Sequence, residues 1–478
     1  MAKAHFGMIG LGTMGRNFLL NIAEHGISGV GYDLDAAKRQ LLLDEGKNMP
    51  LEVGADLAAF LAKLESPRNI MLLVPAGPIV DSVIAELVPL LDEDDLIIDG
   101  GNSHFTDTDR RIAELDAKGI GFMGIGVSGG ENGARHGASI MAGGKREHYD
   151  RIASVLEIAA MQFNRPCAGY VGSGSAGHFV KMVHNGIEYA MMQQIAEVYD
   201  YMRRVLKLNI VRTRKAFYNW AEDGELHSYL INITKDILGK YDMEVREPLV
   251  QLILDTAGQK GTGKWTSQVA MDLGVPIPTI DSAVTMRQIS AQKKLREEIA
   301  LLYAVPTNGY NVQPKAQLEE VHDALYCGFI LAYEQGFAVL RAANEEFKYG
   351  IDLREVAEIW RMGSIIWSSV LVKIADVFRT DSNKTLLLDE FFADVLYKNM
   401  PALRKFVSSA ALCRIPAMSL AASMNYYSAF RTERLPANLI QAQRDYFGAH
   451  TYQRIDKEGI FHTPDWDEPT YAIDPDDD

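Results

Sequence analysis

Gly10-Leu11-Gly12-Thr13-Met14-Gly15 follows an apolar run from His5 to Gly10 and opens a helical stretch read over 17–24. In that context the glycines have a physical purpose. They permit a tight turn, close approach of a pyrophosphate to backbone N–H groups and close helix packing, while the helix dipole favours the anion. The fragment Gly10 to Gly15 is therefore read as a dinucleotide-binding fingerprint. Asp33 ends the next apolar run, 18 residues past Gly15, where an acid accepts hydrogen bonds from the adenosine ribose. An N-cap role for Asp33 at the helix expected from Ala36 is the competing assignment. Two more glycine-rich turns, Asp99-Gly100-Gly101-Asn102-Ser103 and Gly126-Val127-Ser128-Gly129-Gly130, follow strand-like runs and offer Asn102 and Ser128 as polar groups.

Further along, Lys181, His184, Asn185 and Glu188 recur at i, i+3, i+4 and i+7, which places them on one helix face. Phe179, Val180, Met182, Val183, Ile187, Met191 and Met192 surround them, so the helix is expected to be buried. Buried polar groups need mutual pairing or a ligand cavity. A surface stripe held by a Lys181–Glu188 salt bridge is the competing assignment, although such a stripe rarely collects an imidazole and an amide as well. Ala257-Gly258-Gln259-Lys260-Gly261-Thr262-Gly263-Lys264-Trp265 can wrap an anion with N–H groups and ammonium charges, and Arg287 and Arg444 are further cationic candidates. No metal site, Ser-His-Asp triad or nucleic-acid motif is recognised.

Such groups need a scaffold. Runs at 5–10, 28–33, 69–74, 95–99 and 119–125 alternate with helical stretches, the βαβ order of a mostly parallel, doubly wound sheet. From Ala176 to about Leu435 the texture becomes all-helical. Trp220, Ser228 and Asp236 recur at an offset of 140 as Trp360, Ser368 and Asp376, which suggests an internal duplication. The expected organisation is an α/β Rossmann-type coenzyme domain over 1–176, an all-helical, duplicated substrate and dimerisation domain over 177–434, and a C-terminal tail over 435–478 with a disordered acidic end.

Composition narrows the function classes. With 48 basic and 63 acidic residues in 478 the net charge is −15, a field that repels nucleic acid and anionic lipid. An anionic substrate must then be held by a local convergence of basic groups. No apolar run is long enough to span a membrane, no signal peptide is evident at Met1 to His5, and Cys167, Cys327 and Cys413 lie far apart, so a reducing cytoplasm is expected.

Across nearly its whole length the chain resembles the 6-phosphogluconate dehydrogenase family, decarboxylating enzymes of the pentose phosphate pathway. The likeness rests on the fingerprint, on Ile97 to Ser103, Gly126 to Glu131 and Gly177 to Tyr189, on the Lys260 loop and on Ile440 to His450. The resemblance implies that Lys181 is the base at the C3 hydroxyl and Glu188 the acid that protonates C1 of the enediol left after decarboxylation. It implies a sugar-acid site of Asn102, Ser128, Gly129, Gly130, His184 and Asn185. The phosphate grip would comprise Tyr189, Lys260, Thr262, Arg287 and Arg444, with His450 alongside. Coenzyme contacts would come from Gly10, Leu11, Gly12, Thr13, Met14 and Gly15, from Asp33, Leu34 and Asp35, from Val74, Pro75 and Ala76, and from Asn102. It further implies a metal-free reaction and a homodimer whose tail enters the partner.

The NADP-dependent members typically carry Asn-Arg-Thr where this chain has Asp33-Leu34-Asp35, and a lysine where it has Pro75. NAD is therefore the expected coenzyme, with NADP as the alternative. A shorter β-hydroxyacid dehydrogenase would need neither the Lys260 loop nor Arg444. A catalytically dead dinucleotide sensor could dispense with Lys181 or Glu188.

Overall fold

The structure is a computed structural model that describes residues 3–222, 224–303 and 314–468. The chain divides after Met424 into two compact units.

The first unit begins with β1 (Phe6–Ile9), β2 (Gly29–Tyr32), β3 (Leu51–Val53), β4 (Asn69–Leu72), β5 (Leu96–Asp99), β6 (Gly121–Ser128) and β7 (Ser139–Gly143). A two-residue ribbon of β8 (Gln162–Phe163) and β9 (Arg165–Pro166) precedes β10 (Ala168–Gly172). The large sheet has the order β10-β7-β6-β5-β4-β1-β2-β3 and is parallel except where β6 meets β7. Strands β3-β2-β1-β4-β5-β6 reproduce the Rossmann order, with its switch point between β1 and β4, where ligands sit at the strands' carboxyl ends. Alternation along each strand feeds two cores: Leu96 and Ile98 pack on one face, Ile97 on the other. Helices α1 (Thr13–Glu24), α2 (Ala36–Glu45), α3 (Leu57–Ala62), α4 (Pro78–Leu87), α5 (Phe105–Asp116), α6 (Gly130–His136) and α7 (Arg146–Ala159) complete this part.

Several sequence boundaries need correction. Helix α1 starts at Thr13, directly on the fingerprint, and not at Asn17. Residues 126–128 belong to β6, because their backbone pairs with β7 through Ser128, so the turn proper is Gly129-Gly130. Strands β3, β7 and β10 of the large sheet were not anticipated, nor was the β8-β9 ribbon.

Helix α8 (Ala176–Arg204) then crosses the sheet. Glycine makes this crossing possible. A Cβ on Gly177 would lie 2.2 Å from Gly124 O, and one on Gly126 would lie 2.3 Å from Lys181 Cβ. The helices Pro314–Phe347 and Thr262–Asp272 pack on α8. The positions related by the 140-residue offset meet: Ser228 bridges Ser368, Tyr229 N donates to Trp367 O at 3.1 Å, and Ser369 N donates to His227 O at 2.9 Å. That reciprocal pairing is what a local two-fold axis between two helical halves produces.

The second unit holds the helix Ala437–Gly448, where a thinning tail was expected. Its fully buried Asp445 accepts from Thr451 N, Thr463 N and Trp466 Nε1 at 2.8 to 3.0 Å, which organises the segment that follows. The acidic end, where disorder was expected, lies outside the described residues.

Candidate active site

The fingerprint forms a cradle at the switch point. Gly10 has φ +95°, and a Cβ there would stand 2.5 Å from Leu73 O; a Cβ on Gly15 would stand 1.9 Å from Gly10 O. Nothing lies within 4 Å of a Cβ position on Gly12, and no side chain caps α1. Free N–H groups facing open space fit a pyrophosphate. Asp33 Oδ2 accepts from Leu11 N at 2.8 Å and Oδ1 from Asp35 N at 2.9 Å, so its carboxylate ties the end of β2 to the fingerprint. Asp33 is not the helix cap. That is Asp35, which accepts from Ala37 N at 2.9 Å. Leu34 is 85% exposed, and Val74, Pro75 and Ala76 lie beyond the neighbouring β4.

On α8 the stripe faces inward. Lys181, His184 and Asn185 are buried, and Glu188 is half-buried. Lys181 Nζ donates to Asn185 Oδ1 at 2.6 Å; Asn185 Nδ2 donates to Thr262 Oγ1 at 3.2 Å. His184 Nδ1 lies 3.0 Å from the same Asn185 oxygen, so that nitrogen carries the proton, and Nε2 faces Ser128 Oγ at 2.9 Å. Ser128 Oγ also accepts from Ile365 N at 3.1 Å. The Lys181–Glu188 surface bridge is absent among the described residues.

Burial sets the protonation states. It pushes the Lys181 ammonium down to about 8, against the opposing attraction of Glu188. It raises the Glu188 carboxyl above the usual range, against the charges of Lys181 and Arg287. Burial, reinforced by the Lys181 charge, holds His184 well below the ordinary imidazole range. One helix face thus carries an amine whose proton is loosened by burial and a carboxyl whose proton is held more firmly than in water.

Asn102, Asn185, Glu188, Tyr189, Lys260, Thr262 and Arg287 line a cleft of about 450 Å³. Arg287 stacks 4.4 Å above the Tyr189 ring and donates through Nη1 to Gly258 O at 2.8 Å, which steadies the Lys260 loop. The basic convergence required by the net charge is therefore present at Lys260 and Arg287. Gly129 lies against the second helical half, where a Cβ would stand 2.5 Å from Gly363 O, and Gly130 is exposed. Arg444 and His450 are exposed side chains of the second unit, Arg444 bonded to Gln441 Oε1 at 3.1 Å.

Sequence reasoning missed Ile365, which acts through its backbone N–H and so leaves no side-chain signal. It also missed Trp265 as a link between the two parts of the first unit: its ring meets His104 edge-on at 4.9 Å.

Residues 5–172 match the NAD binding domain of 6-phosphogluconate dehydrogenase, and residues 177–466 match its C-terminal domain. The chain belongs to the 6-phosphogluconate dehydrogenase family. A decarboxylating 6-phosphogluconate dehydrogenase of Lactococcus lactis is 47% identical over 470 residues, 98% of this chain and 99% of the relative. Bacillus subtilis has two similar decarboxylating 6-phosphogluconate dehydrogenases. The one named NADP(+)-dependent is 46% identical, covering 97% of this chain and 99% of the relative. The one named NAD(+)-dependent is 44% identical with the same coverage. The solved 6-phosphogluconate dehydrogenase of Plasmodium falciparum, studied in its apo form and with NADP+ or 6-phosphogluconate, superposes with a TM-score of 0.93 at 39% identity. That match covers 96% of this chain and 99% of the other.

Proposed function

We propose that the chain converts 6-phosphogluconate to ribulose 5-phosphate and carbon dioxide, reducing NAD(P), with Lys181 and Glu188 as its base and acid. The observation that carries the assignment of roles is the single helix face that holds a buried, easily deprotonated amine, bonded to the cleft residue Asn185, and a half-buried carboxyl that lines the same cleft.

When bound, the nicotinamide supplies the hydride acceptor for C3. Neutral Lys181 takes the C3 hydroxyl proton as that hydride leaves. The product is a 3-keto acid, whose carbonyl is β to the carboxylate. Lys181, now an ammonium in a dry pocket, hydrogen-bonds the C3 oxygen and polarises it, and the C1–C2 bonding pair moves toward C2 as carbon dioxide departs. Glu188 gives its proton to the carbon of the resulting enediol that lost the carboxyl group, and the ketose forms. Asn185 fixes Lys181, while Ser128 and His184 offer polar contacts to the sugar-acid hydroxyls. Lys260, Arg287 and Thr262 take the phosphate. Arg444 and His450 reach the same phosphate from the tail of a second subunit in a homodimer. Widely spaced, unpaired cysteines suit a cytoplasmic setting.

NAD is the preferred coenzyme. A 2′-phosphate would bring a charge of about −1.5 to −2 toward Asp33, and Leu34 offers it no donor. Lys38 Nζ, 3.4 Å from Asp33 Oδ2, partly offsets that carboxylate, and Arg39 is engaged with the backbone oxygen of Asp33 and the ring of Tyr32.

Turnover of 6-phosphogluconate against unphosphorylated gluconate tests the substrate assignment, and a large preference for the phosphorylated acid is expected. The shared site has its own test. Lys181→Met and Arg444→Ala chains, each inactive alone, should regain activity on subunit exchange, and no recovery despite exchange would contradict it.

A further inference from the structure

Helix α5 buries Phe105, Thr108, Arg111 and Leu115 along one face, so a guanidinium occupies a position where an apolar residue would ordinarily sit. The Arg111 side chain is 1% exposed and every nitrogen is engaged. Nε donates to Asp81 Oδ1 at 2.8 Å, and Nη2 donates to Gly77 O at 3.1 Å. Nη1 donates to Ser103 Oγ at 3.1 Å and to Asp99 Oδ2 at 3.3 Å. Asp99 in turn accepts from Ser103 Oγ at 2.6 Å and from Gly101 N at 3.0 Å, which folds the Asn102 turn around its carboxylate.

These partners lie on two different turns. Gly77 closes the segment Val74-Pro75-Ala76-Gly77 after β4, and Asp99 to Ser103 form the turn after β5. The turns nearly touch, since a Cβ on Gly101 would stand 3.3 Å from Val74 O. The first carries the third coenzyme segment, and the second carries Asn102, assigned to both ligands. We infer that Arg111 is a positioning residue for both ligands: its rigid fork sets the spacing of the two turns, and with it the placement of Asn102 against the Val74 to Ala76 segment. The inference rests on the reading under Proposed function, together with the family resemblance that gives Val74 to Ala76 to the coenzyme and Asn102 to both ligands. A lysine has three donors, but all on one atom of a flexible stem, so it cannot reproduce the fixed spread of three nitrogens that spans the two turns. Lys181 and Glu188 lie on α8, outside both turns, so the chemical step is less exposed to the change.

Arg111→Lys in the full-length protein tests this. The expected result is a rise on the order of tenfold in KM for 6-phosphogluconate and in the calorimetric Kd for the coenzyme, with kcat changed far less. A lowered Tm with both constants unchanged would assign Arg111 to stability alone and overturn the inference. Should Arg111→Lys not fold, Ser103→Ala removes two bonds on the Asn102 side, those of its hydroxyl with Arg111 and Asp99, and leaves the bonds to Gly77 and Asp81 in place. The sugar-acid KM should then rise more than the coenzyme Kd, and unchanged values for both would overturn the inference. A wild-type protein inert toward 6-phosphogluconate would instead defeat the reading under Proposed function, while the coenzyme Kd of Arg111→Lys would still test the coupling of the two turns.

Discussion

Lys181 and Asn185 are one helical turn apart on α8, and the lysine Nζ donates to the amide oxygen at 2.6 Å. The amide is held by Thr262 from another helix, and both line the cleft, so the amine is fixed behind the cleft wall by a neutral partner. An ammonium in that setting loses much of its hydration and gains no full counter-charge, which is why its proton is easily lost.

The first prediction is a pH profile. The free enzyme needs neutral Lys181, whose proton leaves near pH 8, so kcat/KM should climb about tenfold per pH unit below that value. A profile flat from pH 6 to 8 would remove Lys181 as the base.

Replacing Lys181 by methionine should trade activity for stability. Turnover should fall by about 10² to 10⁴. The stability change follows from linkage. The folded-state value of about 8 lies below the ordinary 10.5, so between these pH values the unfolded chain binds more protons and stability rises with pH. At pH 7 the wild type carries its buried ammonium at a cost of up to about 3 kcal/mol. Thermal unfolding of Lys181→Met at pH 7 should therefore show a raised Tm, and the gain should shrink toward pH 10. A lowered Tm would mean that the Asn185 bond outweighs the cost of burial.

Coenzyme choice should follow the charge beside the ribose. If repulsion by Asp33 and the missing lysine at Pro75 together amount to about 3 kcal/mol, NAD is favoured in kcat/KM by on the order of a hundredfold. Initial rates with both coenzymes at saturating sugar acid measure this, and an NADP preference would show that Lys38 and Arg39 outweigh the carboxylate.

The fingerprint and the α8 stripe were legible in the sequence because each is local: a turn that only glycine fits, and a helical repeat of polar groups amid apolar ones. The strands at 51–53, 139–143 and 168–172 were not, since three residues are too few to show a period and the other two runs are broken or ended by glycine. Asp33 and Asp35 look alike in sequence, yet only the direction of the chain after β2 makes one a tether and the other a cap. Arg111 left a signal that was passed over, a charge in the buried repeat of α5. Ile365 left none, because its contribution is a backbone N–H brought to Ser128 from 237 residues away.

The central claim is that one cleft both oxidises and decarboxylates its substrate. The most direct measurement follows reduced coenzyme and labelled carbon dioxide together from 6-phosphogluconate carrying ¹³C at C1. Equal amounts of the two, formed at equal rates in the steady state, are the predicted result. Coenzyme reduction without release of the label would contradict it.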